Sequence, residues 1–145
     1  MDKQLLFTDL SSKLPYGVIC HCIEPITGSQ ADLRLYGIDT SVSDKCIFMR
    51  EDGETFCHLP FEWIKPYLRP MSSMTEEEKR EYNSFIKGQQ PSDSDFSAYP
   101  IEHKFVYEFD IKNYIDWMNK HHFDYRGLIE KGLAIEAPKG MYKVK

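Results

Sequence analysis

The chain has 145 residues, of which 41% are hydrophobic, 14% aromatic and 28% charged, which is the size and composition of one globular domain that builds its core without disulfides or a metal. Its net charge of -5 disfavours a broad nucleic-acid-binding surface, because such a surface neutralises phosphates with Lys and Arg. No stretch approaches about 18 apolar residues and the N-terminus lacks the apolar run of a signal peptide, so we expect a cytoplasmic protein without a membrane partner.

The first part of the chain is predicted to contain one helix and four strands. Leu6, Leu10 and Leu14 share one side of a helix at residues 4–14, which Pro15 ends. The predicted strands, which alternate in polarity or are rich in β-branched residues, are residues 17–23, 31–40, 45–50 and 54–60. Several short strands at a spacing of about ten residues favour an antiparallel meander or a small barrel.

We therefore predict an α+β fold. Its centre is a small antiparallel sheet, or a partly closed SH3-like barrel, at about residues 16–60, with helices packed around it. Such barrels commonly bind peptides or nucleic acid, but a fold alone does not determine a function. Pro66 and Pro70 interrupt residues 61–71, so this segment is predicted to cross the sheet in an extended or single-turn form.

A second helix is predicted at residues 75–87. Thr75 is followed three positions later by Glu78, which is the spacing of a capping box. The segment that follows, residues 88–103, is rich in Gly, Gln, Pro, Ser and Asp and is predicted to be a flexible linker.

The linker divides the chain into a β-rich part, residues 1–87, and a mainly helical part, residues 104–145. We expect both parts to belong to one domain, residues 1–145, because they share the aromatic residues that would form its core. The predicted elements of the helical part are a strand at 104–109, a helix with Asp110 as its N-cap, a second helix at 124–131 and an extended segment at 133–138.

The stretch HHFDYRG, residues 121–127, concentrates reactive side chains. His122, Asp124 and Arg126 are candidate site residues, because histidine transfers protons near neutral pH and arginine binds carboxylates or phosphates. A structural interpretation is simpler: histidine favours the negative end of a helix, aspartate is a preferred N-cap, and Arg126 pairs locally with Asp124 or Glu130. We favour the structural interpretation and keep the enzymatic one as an alternative.

The four cysteines raise the question of a metal site. Cys20, Cys22, Cys46 and Cys57 do not have the paired C-x-x-C spacing of structural zinc sites. On strands they share faces with apolar neighbours, so we predict buried free thiols and neither a metal nor a cofactor. Because the chain also lacks the glycine loops, GxSxG elbow and HExxH motif of common enzymes, we assign no catalytic residue.

An aromatic run supplies the last candidates. Trp63 and Tyr67 follow Phe61, with Lys65 between them and Arg69 just after Tyr67. Aromatic residues interleaved with basic residues can stack on bases or sugars. Anchoring the end of the sheet is the favoured interpretation, because large aromatic side chains usually pack in a core first.

Two stretches, IKPYLRPMSSMTEEE at residues 64–78 and WMNKHHFDYRGLIEKGLAIEAP at residues 117–138, resemble small proteins encoded in the genomes of gut anaerobic bacteria. Genes of this family often lie near prophages or other mobile elements. The resemblance covers about a quarter of the chain. It implies a bacterial accessory protein of mobile-element origin, and the family has no established activity or catalytic residue to carry over.

Three functions remain open. We favour a non-enzymatic protein-interaction module whose partner is another protein or, as a homodimer, a second copy; contiguous exposed aromatics would support it. The first alternative is nucleic-acid binding through the barrel or residues 104–145, which requires the basic side chains to cluster on one face. The second is a small enzyme centred on His122, Asp124 and Arg126, which requires a common pocket. The basic residues concerned are Lys104, Lys112, Lys120, Arg126 and Lys131.

Overall fold

The computed structural model describes residues 1–41, 43–50, 52–87 and 108–142. Within them the chain has the predicted α+β fold. The helices are α1 (Lys3–Lys13), α2 (Glu76–Lys87) and α3 (Glu108–Lys120), and the strands are β1 (Ile19–Ile23), β2 (Gln30–Asp39), β3 (Lys45–Met49), β4 (Phe56–Pro60), β5 (Ile64–Leu68) and β6 (Ile135–Glu136). No helix in these ranges is long and apolar enough to cross a membrane.

The six strands form one sheet in the order β4-β3-β2-β1-β5-β6. Neighbouring strands from β4 to β5 are antiparallel, and the short β6 runs parallel to β5. The four predicted strands therefore exist and pair as a meander. The partly closed SH3-like barrel is not confirmed, because the described strands form an open sheet with β4 and β6 at its edges.

One face of the sheet carries the hydrophobic core. Leu6 and Leu10 of α1 pack there with Cys20 of β1 and Phe48 of β3, and all four side chains are fully buried. Alternation along the strands directs the other side chains to the opposite face, which we call the outer face. Exposed residues of the outer face include Arg34, Tyr36, Phe56, His58 and Lys65.

Strand β5 lies inside the sheet, where we predicted only an extended or single-turn segment. A proline is expected at sheet edges because it donates no ladder hydrogen bond. The Leu68 carbonyl accepts a hydrogen bond from the Ala137 amide at 2.8 Å, on the β6 side. Alternate residues of a strand direct their main-chain groups to the same side, so the Pro66 nitrogen also faces β6. Pairing between β5 and β6 begins only at Tyr67, so no residue of β6 lies opposite Pro66. The missing donor therefore costs no bond to β1.

Helices α2 and α3 pack against each other and form a second buried cluster. It contains Tyr82 of α2, Tyr114, Trp117 and Met118 of α3, and Phe123 just after α3. This cluster lies next to the C-terminal end of β5, because Arg69 and Phe123 form a parallel bridge. The cluster thus joins the helical part to the sheet.

Several predictions for the last part of the chain are corrected. Helix α3 begins at Glu108, so Asp110 lies inside the helix and is not its N-cap. Residues 124–131 form consecutive turns in place of the predicted helix. The last two residues of the predicted strand at 104–109 belong to α3, while its other residues and the predicted linker at 88–103 lie outside the described residues.

Candidate functional site

Helix α3 ends in a turn formed by the two histidines of HHFDYRG. The Phe123 amide donates to the Met118 carbonyl at 3.1 Å, and the His122 amide donates to the Asn119 carbonyl at 3.0 Å. These are the two hydrogen bonds of a Schellman motif. His122 takes the left-handed position of the motif, with a φ of 62°, where glycine is usual. Because a side chain there costs about 1 kcal/mol of strain, contacts of the imidazole must offset it.

The His122 imidazole is buried and held in place by its neighbours. Its Nε2 atom lies 2.8 Å from the Tyr16 carbonyl oxygen, so Nε2 carries the proton and donates it. The ring stacks on Tyr142 with 3.7 Å between centroids, and Nδ1 has no hydrogen-bond partner in the described part of the chain. Burial lowers the pKa of His122 to about 4, although the bond to Tyr16 acts in the opposite direction. The imidazole is therefore neutral at pH 7.

Arg126 reaches from the turns after α3 to helix α1. Its guanidinium donates to Asp9 Oδ1 at 2.8 Å and to Ser12 Oγ at 3.0 Å. Asp9 also binds Lys13, and both of these charged side chains are fully buried. Burial lowers the pKa of Lys13, and the Asp9 charge opposes this shift. Because a buried charge that loses its partner costs several kcal/mol, this group fixes α1 against the segment that follows α3.

Asp124 acts as a cap, in agreement with the structural interpretation, but it caps a turn. Its carboxylate oxygens accept hydrogen bonds from the amides of Leu128 and Ile129, at 2.8 and 2.9 Å. These amides lie four and five residues along the chain, beyond the second or third position that a helix N-cap binds. Gly127 has a φ of 75°, a left-handed conformation that interrupts a right-handed helix. The predicted helix at 124–131 fails for this reason.

The three candidate residues of HHFDYRG therefore have separate partners. His122 binds a main-chain carbonyl, Asp124 binds main-chain amides and Arg126 binds Asp9. No hydrogen bond or ion pair among the described residues joins the three to one another. Because a shared reaction centre needs convergent side chains, we base no function on this trio.

The two aromatic candidates have different surroundings. Trp63 is half-buried in a 3-10 turn that precedes β5. Tyr67 lies on the outer face, where its hydroxyl donates to Asp32 Oδ1 at 2.9 Å, and the same oxygen lies 2.7 Å from His21 Nδ1. The hydrogen bond from His21 lowers the pKa of Asp32. Tyr67 is thus part of a polar cluster that ties β5 to β1 and β2.

The sequence did not indicate the ion pair between Arg69 and Glu78. Both terminal nitrogens of Arg69 donate to the Glu78 carboxylate, at 2.7 Å each. Glu78 also accepts from the Thr75 amide at 2.8 Å and donates its own amide to Thr75 Oγ1 at 3.1 Å, which confirms the predicted capping box. Burial acts to raise the pKa of Glu78, but hydrogen bonds from Arg69 and Thr75 lower it to about 2. His121 Nδ1 lies 3.1 Å from the same carboxylate.

A cleft of about 410 Å³ opens beside this ion pair, a volume that suits a small ligand. Two of its polar groups are already engaged: Glu78 binds the Arg69 guanidinium, and the Tyr142 hydroxyl donates to the Tyr67 carbonyl at 2.8 Å. The cleft therefore offers space, and its other ionisable side chains are those of Glu136 and Lys139, which are exposed. Its lining residues are Arg69, Pro70, Ser73, Thr75, Glu136, Ala137, Pro138, Lys139, Gly140 and Tyr142.

The four cysteines belong to the core of the sheet. Cys20, Cys22 and Cys46 are buried in it, and Cys57 packs against it. Burial raises the pKa of Cys22 and of Cys46 to about 12, so both thiols are protonated at neutral pH and react poorly with metals or electrophiles. In the residues that the structure describes, no group of three or more His, Cys, Asp or Glu side chains is placed to hold a metal ion.

The basic residues of the helical part have different environments. Arg126 is bound to the buried Asp9, and Lys112 is paired with Asp116 at 2.9 Å. Lys120 and Lys131 are exposed. Because its guanidinium is paired with Asp9, Arg126 does not contribute a free positive charge to a surface patch with Lys120 and Lys131. Lys104 lies outside the described residues.

An exposed aromatic contact stands on the outer face. The rings of Tyr36 on β2 and Phe56 on β4 meet across β3 with 4.9 Å between centroids, and these residues are 61% and 42% exposed. Met49 is the cross-strand partner of Phe56, and Ile47 lies two residues before it on the same face of β3. We call these four residues, Tyr36, Ile47, Met49 and Phe56, the outer patch.

A β-bulge in β2 contributes to the outer patch. Leu35 and Gly37 face consecutive residues of β3, so Tyr36 is the extra residue of the bulge. A bulge shifts the alternation of side chains along its strand, and Ile38 accordingly turns toward the core. Alternation in the sequence did not reveal the bulge, and the outer patch was missed for that reason.

No family model, curated protein or solved structure matches the chain. The resemblance to proteins of gut anaerobes stays a prediction.

Proposed function

We propose that this chain is a non-enzymatic protein-interaction module that binds its partner through the outer patch. The observation that carries the proposal is the contact between Tyr36 and Phe56, two aromatic rings exposed side by side on an open sheet face. Contiguous exposed apolar surface is unfavourable in water and marks binding sites. Aromatic and methionine side chains are enriched at interfaces, and buried aromatics carry much of the binding energy.

The position of the outer patch on a sheet supports the same function. Its residues lie on three hydrogen-bonded strands, so little ordering is required when a partner binds, and a preorganised surface loses less entropy on association. The four free thiols suit a reducing compartment, and we propose the cytoplasm as the location. An enzymatic function has less support, because His122, Asp124 and Arg126 have separate partners.

The test is capture of partners from a lysate of the native host, with and without nuclease. We expect the wild-type chain to retain a protein that survives nuclease treatment, and Tyr36→Lys or Phe56→Lys to weaken its binding about thirtyfold, the cost of removing a central aromatic. The matched control is Ile26→Lys, because Ile26 is 88% exposed in the turn before β2. A partner bound equally by all variants, or no protein partner at all, would refute the proposal.

Nucleic-acid binding is the second candidate, and one observation favours it. Arg34, Lys45 and Lys65 stand on the outer face with the aromatic rings, an arrangement that sheets use to stack and neutralise single strands. Under this function, single-stranded RNA or DNA binds more weakly as salt rises, and Arg34→Glu reduces binding. A low-salt gel-shift assay without any complex removes this candidate.

A further inference from the structure

Building on the proposed function, we infer that the partner contributes an extended, basic segment that pairs as a seventh strand along the free edge of β4. In this mode the main chain of β4 supplies hydrogen bonds to the partner, while the outer patch and the acidic turn before β4 select its side chains. The inference deepens the proposed function, because it names the class of segment that is bound.

The main-chain geometry of β4 leaves its outer edge unpaired. Among the described strands, β4 pairs only with β3. The Arg50 amide donates to the Thr55 carbonyl at 2.8 Å, so in this antiparallel hairpin alternate residues from Thr55 onward direct their main-chain groups toward β3. Phe56 and His58 fall at the other positions, and their N–H and C=O groups point away from the sheet. Both residues are exposed, so a partner strand can reach these groups.

The two edges of the sheet are protected to different degrees. Natural proteins shield an edge with a very short strand, a lysine, a bulge or a proline. At one edge, β6 has two residues and Pro138 follows it closely. At the other edge, β4 has five residues, no lysine, no register shift against β3 and a proline only at its last position, Pro60. The unprotected edge is therefore β4, next to the outer patch.

Side chains next to this edge favour an apolar residue in the partner. Phe56 belongs both to β4 and to the outer patch, so a strand added to β4 places every second side chain on the outer face beside Phe56. An apolar side chain at that position covers the Phe56 ring, which is 42% exposed. Strand addition and the outer patch therefore form one continuous surface.

Charges near β4 favour a basic partner. Asp52 and Glu54 lie in the exposed turn between β3 and β4. Hydrogen bonds from the Thr55 hydroxyl and from nearby amides lower the pKa of Asp52 to about 2, so this carboxylate is charged at neutral pH. The chain as a whole has a net charge of -5, which attracts a cationic segment at long range. Lysine or arginine in the partner then pairs with this turn at the start of β4. Because Lys45 lies opposite Pro60 at the end of the strand, the basic residues belong at the end of the segment that lies next to the turn.

A second copy of the chain fits this edge less well. An antiparallel pair of β4 strands brings the start of one strand next to the end of the other. Glu62, just after the end of β4, is already paired with Lys3 at 2.6 Å, so the contact between it and the acidic turn of a second copy does not decide the question. The net charge does, because two copies with a net charge of -5 each repel one another.

The test uses the full chain, immobilised, and a phage-displayed library of random linear peptides. We expect selection to enrich peptides with alternating apolar and basic residues. Fluorescence polarisation with an enriched synthetic peptide should show about tenfold weaker binding to His58→Pro, because proline lacks the outward N–H of β4. The control is His58→Ala, which loses the same side chain but retains the N–H, and it should bind the peptide about tenfold more tightly than His58→Pro does.

A second arm avoids any change to the chain. The enriched peptide is N-methylated at alternate residues, which removes the donors that a ladder needs, and binding to the wild-type chain should fall about tenfold. Failure of selection, acidic enriched peptides, or equal binding by both histidine variants and by methylated peptides would overturn the inference. A dimer in sedimentation velocity that His58→Pro dissociates would overturn it in favour of a second copy.

The outcomes also separate this inference from the proposed function. If Phe56→Lys abolishes capture of the host partner while His58→Pro leaves it intact, the outer patch binds a protein but no strand is added to β4. If neither variant affects capture, the proposed function itself fails.

Discussion

His122 combines three features that are each uncommon for a histidine. Its backbone is left-handed, its ring is buried, and burial lowers its pKa to about 4. The bond from Nε2 to Tyr16 and the stacking on Tyr142 compensate for the strained backbone. The bond to Tyr16 forms in either protonation state, but burial and the nearby cationic side chains of Lys13 and Arg69 lower the pKa and so favour the neutral ring.

We predict that acidification from pH 6.5 to 4 destabilises the protein through His122. The pKa of His122 falls from an ordinary 6.5 to about 4 on folding. A group with a lowered pKa contributes stability that is complete above its unfolded pKa and is lost as the pH falls through the folded value. The expected loss in the free energy of unfolding is on the order of 3 kcal/mol. Urea denaturation at a series of pH values measures it.

His122→Asn is the control for this pH dependence, because asparagine tolerates the left-handed backbone and does not titrate in this range. The variant should be less stable at pH 7, since it loses the stacking on Tyr142, but its stability should vary less between pH 6.5 and 4. Some dependence should remain, because burial also lowers the pKa of His121. An unchanged pH dependence would contradict the assignment to His122.

Sequence revealed local contacts of single residues but not distant ones. The capping box of Thr75 and Glu78 was predictable, because both residues lie in one turn and the spacing determines the geometry. The hydrogen bond between Arg69 and Glu78 was not predictable, because it depends on the position of α2 relative to the end of β5. The bond of Arg126 to Asp9 spans 117 positions, and the sequence favoured a local partner for Arg126.

At the scale of elements, the turns after α3 depend on one carboxylate. We predict that Asp124→Ala lowers the free energy of unfolding by about 2 kcal/mol, because the amides of Leu128 and Ile129 lose their acceptors. Chemical denaturation measures the loss, and hydrogen exchange of these two amides should accelerate. The control is Glu130→Ala at an exposed position. A variant of Asp124 as stable as this control would show that the turns form without the cap.

The elements that were predicted correctly are those whose local pattern agrees with their tertiary context. Strands β1 to β4 have alternating polarity and turn residues between them. Helix α1 was predicted from the spacing of its leucines and from Pro15, although it is only weakly amphipathic because it also buries Asp9 and Lys13. Strand β5 was missed because Pro66 argues against an interior strand. The proline is tolerated because β6 pairs with β5 only at Tyr67 and Leu68, so no ladder hydrogen bond is lost at Pro66. The helix at 124–131 was predicted from Asp124 and Gly132, but the left-handed Gly127 interrupts it.

At the scale of the whole molecule, the two ends of the chain are joined by buried polar contacts. Asp9 of α1 binds Arg126, and the Tyr142 hydroxyl accepts from the Ile19 amide at 2.9 Å. The sheet continues this connection, because β6 pairs with β5. The antiparallel pairing of the first four strands was predictable from the strand pattern, but the choice between a partly closed barrel and an open sheet depends on contacts that span the whole chain.

We predict that the β-rich and helical parts unfold in one transition. The chain has two tryptophans: Trp63 follows β4, and Trp117 lies in the cluster between α2 and α3. In Trp63→Phe, fluorescence reports only on that cluster, whereas far-UV circular dichroism reports on all elements. Because Arg126 and β6 tie the helical part to α1 and β5, both signals should have the same urea midpoint, as two-state unfolding requires. A fluorescence midpoint at lower urea would show that the helical part unfolds independently.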